Sequence, residues 1–130
     1  MTKPFSLSKH ERLKSKKDID TLFLNGKAFF VFPFKLFYLL SENESSTEAL
    51  RFGVSVPKRL FKRAVERNKI KRRVRELYRM VKPGLFEHIT VNGKILHVMF
   101  VYTHKEIMPT ADLGPVMSEA IKKLKDKIQG

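Results

Sequence analysis

The chain has 130 residues, with 27 Lys and Arg against 13 Asp and Glu and a formal net charge of +14. That length supports one core and not two, and that charge calls for an acidic macromolecular partner. Cysteine is absent, which excludes disulfides, thiolate nucleophiles and thiolate metal sites and fits a cytoplasmic protein.

No apolar run approaches the length of a membrane span, and the first thirty residues lack the apolar h-region of a secretory signal. The eleven Phe place the charge on a foldable domain instead of a disordered basic tail. Residues 1–14 read as a basic N-terminal arm and residues 15–130 as a single domain.

Ser15-x-x-Asp18 has the form of a capping box, with Ile19, Leu22 and Phe23 on one face and Gly26 as the stop, so the first helix runs about ten residues. From Ala28 to Leu40 the aromatic and aliphatic run predicts extended chain, with Pro33 giving a bulge or a break between two strand pieces. Ser41 to Glu48 is polar and acidic and reads as a connecting loop. Alternation of Phe52, Val54 and Val56 with Arg51, Gly53 and Ser55 predicts a half-buried strand ended by Pro57.

A helix is predicted from Ala64 to Val81, stopped by Pro83-Gly84. Ile70, Val74, Leu77, Tyr78 and Val81 share one face, whereas Asn68, Arg72, Arg75 and Arg79 lie opposite and Lys71 sits at the border. Lys58 to Arg79 holds eleven Lys or Arg against Glu66 and Glu76. Like charges at Arg67/Lys71, Lys71/Arg75 and Arg75/Arg79 each cost a few tenths of a kcal/mol, an arrangement that a bound polyanion would relieve.

Lys94 to Tyr102 is nearly all apolar and predicts a central strand covered on both faces. The last helix spans about Thr110 to Ile128 and tolerates Pro115 only in its first turn. The order α-β-β-β-α-β-α defines an α+β class, a single-domain sandwich of a small sheet packed with helices.

Catalytic readings find little footing. His10, His88, His97 and His104 show no zinc spacing, and His97 within an apolar strand reads as a core histidine. Glu42, Glu44 and Glu48 sit in a loop too flexible to hold a metal, and there is no Gly-rich phosphate cradle or nucleophile elbow. Neither a catalytic residue nor a metal ligand is expected on this chain.

Arg51-Phe52-Gly53-Val54-Ser55-Val56-Pro57-Lys58-Arg59, leading into Ala64-Val65-Glu66-Arg67-Asn68-Lys69-Ile70-Lys71-Arg72-Arg73-Val74-Arg75-Glu76, resembles the protein subunit of bacterial ribonuclease P and its signature basic helix. Arg12 to Phe23, closed by Gly26, is similar to the family's opening helix. The departures are Lys69 where the signature often has Arg, and Ile19 where relatives often place Phe.

The resemblance implies a mostly antiparallel sheet with a left-handed β-α-β crossover, against the general right-handed rule. It further implies a protein that binds the catalytic RNA subunit and the 5′ leader of precursor tRNA, while the RNA, with its own Mg²⁺, cleaves the leader. By position, Lys58, Arg59, Arg67, Asn68, Lys71, Arg72 and Arg75 would face RNA. Phe23, Phe37 or Tyr38, and Ser55 would line the leader cleft; strand parity lets only one of Phe37 and Tyr38 do so. Phe29, Phe30, Phe32, Phe34 and Phe61 are left as core or edge packing. No membrane and no protein partner is expected. A ribosomal-type structural RNA-binding protein is the alternative reading.

Overall fold

The apolar periodicities resolve, in a computed structural model that describes residues 16–42, 50–91 and 94–128, into seven elements in the predicted order. These are α1 (Lys16–Asn25), β1 (Lys27–Val31), β2 (Phe34–Glu42), β3 (Leu50–Ser55), α2 (Ala64–Val91), β4 (Lys94–Tyr102) and α3 (Thr110–Ile128). The predicted basic arm over 1–14 and most of the predicted acidic loop lie outside the described residues.

One four-stranded sheet runs in the order β1-β2-β4-β3. β1 pairs with β2 and β2 with β4 in antiparallel fashion, whereas β3 lies parallel to β4. Parallel neighbours need a crossover, and α2 supplies it. The break expected at Pro33 is a hairpin: Val31 faces Phe34 across a tight turn that contains a cis Phe32–Pro33 bond.

Strand alternation splits the sheet into two unequal faces. Leu36, Phe52, Val54, Leu96, Val98, Phe100 and Tyr102 point toward α2 and α3, where Ile70, Val74, Tyr78, Leu113, Met117 and Leu124 complete the main core. Phe52 stacks on Tyr78 at 3.8 Å. Each such side chain contributes about 1.5–3 kcal/mol when fully buried.

The other face carries only α1. Leu22 packs on Met99, with Ile19, Phe37, Leu39 and Val101 around them. Residues of this face form rows across the strands: Arg51–His97–Leu39, then Gly53–Met99–Phe37–Ala28, then Ser55–Val101–Lys35–Phe30. The helix lies over the first two, with Asp18 joined to Arg51 at 3.1 Å and Phe23 edge-on to Phe37 at 4.6 Å.

Two prolines depart from expectation. α2 continues through Pro83 to Val91, because Leu85, fully buried in the main core, offsets much of the roughly 3 kcal/mol that an interior proline costs. In α3 the amides of Asp112 and Leu113 donate to the Pro109 carbonyl, so the helix starts at Thr110 and Pro115 stands in its second turn, beyond the first-turn position expected of it.

Candidate nucleic-acid interface

β3 is an edge strand, and the two helices nearest that edge sit on opposite faces of the sheet. Between them opens a cavity of about 340 Å³, walled by Ile19 and Phe23 of α1, residues 52–56, Met99, and Lys71 and Arg75 of α2. Of the predicted cleft residues, Phe23 and Ser55 line this cavity, and Phe37 buttresses Phe23 from behind. Tyr38 does not. It is buried in the main core against Phe29, because the hairpin register turns even-numbered residues of β2 toward α2 and α3.

The cavity mixes flat apolar surface with positive charge. Phe23 remains 42% exposed, as a ring must be if it is to stack on a ligand. Lys71 and Arg75 lie one turn apart on α2 and face it from the opposite wall. The helical period places Arg75 on the outer face and Lys71 at its border, and the family resemblance assigns both to RNA; in the fold the two turn to the cavity. Asn68, Arg72 and Arg79 are exposed on the outer face.

Arg67, half-buried, has a structural role beside the RNA contact expected of it. Its NH1 donates to the carbonyls of Phe61 and Lys62 at 2.8 and 2.9 Å, tying the approach loop to the first turn of α2. Arg73 similarly donates to the Met108 carbonyl at 2.8 Å and anchors the loop before α3. Lys58 and Arg59 are exposed on a turn in which the Leu60 and Phe61 amides both donate to the Pro57 carbonyl. That turn begins one residue past Val56, the end of the cavity wall.

Beneath α1 lies a group that sequence reasoning treated singly. His97 is beside Arg51 in register, and Arg51 bonds Asp18. Burial holds the His97 pKa below its ordinary 6.5; Asp18 works against this shift and Arg51 adds to it. Of the phenylalanines left as packing, Phe34 and Phe61 are buried and Phe29 is half-buried, but Phe30 and Phe32 are more than half exposed. Nothing in their apolar character separated them from the core; the hairpin geometry does.

Among the described residues, no group of three or more His, Asp or Glu side chains gathers in a way that could hold a metal. No helix is long and apolar enough there to cross a membrane.

The fold and this surface define a small basic α+β protein whose cleft suits an extended polyanion with flat rings. Comparison with known proteins makes this specific. Residues 7–125 match the family model described as Ribonuclease P, and the chain belongs to that family. Over 85 residues it is 48% identical to the ribonuclease P protein component of Porphyromonas gingivalis, covering 63% of this chain and 61% of that relative. The corresponding protein of Nitrosococcus oceani is 31% identical over 99 residues, 66% of this chain and 80% of the relative. A solved structure of the Staphylococcus aureus RNase P protein superposes with a TM-score of 0.67 at 26% identity, covering 88% of this chain and 95% of that one.

Proposed function

We propose that this chain is the protein component of ribonuclease P, holding the catalytic RNA on the outer face of α2 and the single-stranded 5′ leader of precursor tRNA in the cleft between α1 and α2. The observation that carries the reading is the meeting of Phe23 and Ser55 with Lys71 and Arg75 around one open cavity. A single strand bound without strong sequence choice needs ring surface for its bases and cations for its phosphates, and the cavity offers both. Asn68 and Arg72, exposed one turn apart on the outer surface of α2, suit phosphates and sugars of a second RNA segment.

The chain's contribution is then binding and orientation. Lys71 and Arg75 draw leader phosphates to the β3 edge, Phe23 fixes a base, and the Asp18–Arg51 pair holds α1 at the spacing that keeps the cleft open. The bond is broken in the RNA subunit, whose bound Mg²⁺ supplies Lewis-acid and nucleophile-activating chemistry.

The test is cleavage of precursor tRNA by a bacterial ribonuclease P RNA at low magnesium, with and without this protein, beside a protein-only control. Rescue that requires both components is the expected result. Absence of rescue with folded protein and cognate RNA would favour a structural RNA-binding role, and cleavage by protein alone would place an active site on this chain.

A further inference from the structure

α1 covers the third row of its sheet face only at its β3–β4 end, where Val101 packs beside Leu22 and Met99. Ser55, at one end, lines the cleft. From there Val101 is half-buried, Lys35 is exposed, and Phe30 on the far edge strand is 54% exposed. Three strand spacings separate Ser55 from Phe30, about 14 Å. Beyond the cleft wall the same row continues across the sheet, from half-buried Val101 to exposed Lys35 and Phe30, and offers a shallow floor toward β1.

That floor ends at an aromatic station. Phe32, 52% exposed, lies 6.3 Å from Phe30 and edge-on to His104 at 5.1 Å. The station is held rigidly. The amide and Oγ1 of Thr103 both donate to the Pro33 carbonyl, at 2.8 and 2.7 Å, which fastens the hairpin turn to the exit of β4. Phe30 near the end of β1 and Phe32 in the turn each leave more than half of their surface to solvent, apolar area that a stacked base would cover. Lys35, whose ammonium sits 5.2 Å from the Phe37 ring centre, supplies a cation midway.

We infer that the β1–β2 hairpin is a second stacking station for single-stranded RNA, in which Phe30, Phe32 and His104 receive bases of the leader that lie upstream of those held in the cleft. The inference rests on the reading of the cleft as a leader site. Its direction follows from the same reading: with the catalytic RNA on α2, which borders the β3 end of the floor, a strand leaving the cleft would travel away from the scissile bond toward β1. Stacking tolerates any base, so the station measures leader length rather than leader sequence.

The experiment uses the reconstituted ribonucleoprotein and precursor tRNAs whose leaders grow one nucleotide at a time. With the unaltered protein, affinity should rise first as the leader fills the cleft and again when it reaches the hairpin. The Phe30→Ala/Phe32→Ala protein should lose the second rise, roughly five- to 150-fold for each stacked base, whereas Phe32→Trp should keep it. A photoreactive thiouridine in the upstream leader should crosslink to the hairpin, a readout that needs no variant.

Equal gain with leader length in both proteins, or crosslinks that avoid the hairpin, would overturn the station and leave the cleft standing. Failure of even short leaders to bind better than mature tRNA would remove the cleft reading, and the station with it. A self-association that the double variant abolishes, with the second rise intact, would reassign the patch to a second copy of the chain.

Discussion

Replacement of Phe23 by alanine separates a ring that packs from a ring that binds. Full burial of a phenylalanine contributes about 1.5–3 kcal/mol. With 42% of Phe23 exposed, about 1–2 kcal/mol of that burial is at stake. The edge-on contact with Phe37 at 4.6 Å adds about 0.5–1.5 kcal/mol. A folding loss near 2 kcal/mol leaves a domain of ordinary stability, about 5–15 kcal/mol, still folded.

Loss of one stacked base should cost a further 1–3 kcal/mol in binding, roughly five- to 150-fold. The assay is equilibrium binding of precursor and mature tRNA to the reconstituted complex at one fixed salt concentration, with thermal unfolding in parallel. The expected result is a loss confined to leader-bearing RNA. An equal fall for both RNAs would refute the reasoning and make Phe23 a packing residue.

Gly26 closes α1 where its amide donates to the Leu22 carbonyl at 2.8 Å. A Cβ there would meet that carbonyl oxygen and lie 2.8 Å from the Tyr38 carbonyl oxygen. Neither backbone atom moves cheaply, so Gly26→Ala should cost about 1–3 kcal/mol in unfolding free energy; an unaltered melting temperature would contradict the close approach. For His97, the lowered folded pKa means that the unfolded chain binds the proton first as pH falls. Its contribution is therefore present above pH 6.5 and is lost as pH falls through that value toward the lower folded pKa. Melts from about pH 7.5 to about pH 5 should show a steeper decline for the parent than for His97→Asn, and parallel curves would refute the assignment.

The sequence made the element order legible because each element carries a clear apolar period: 3.6 in α1, α2 and α3, alternation in β3, and a continuous run in β4. Local signals failed where distant packing decided the outcome. Pro83-Gly84 is a strong stop, yet Leu85 has a place in the core that the preceding residues cannot reveal. Phe37 and Tyr38 are alike in composition, and only the register against β1 and β4 gives one to α1 and the other to the main core. Arg67 belongs to the basic pattern, but the carbonyls of Phe61 and Lys62 claim one of its nitrogens once the loop folds back. The division of Lys71 and Arg75 from Arg72 depends on where the edge of β3 falls against the helix.

β4 is the last strand in the chain and lies in the middle of the sheet. The β1–β2 hairpin closes through a two-residue turn, but every β3–β4 partner is separated by 46 positions, as in Leu50 with Leu96 and Ser55 with Val101. Long loops close slowly and at an entropic cost, so β3 has no sheet to join until residues 94–102 arrive. During synthesis the entire basic helix leaves the ribosome before the strand that gives it a floor. A nascent chain stopped short of β4 thus carries the charge of an RNA binder without its shape, and selectivity begins only when the central strand slots in.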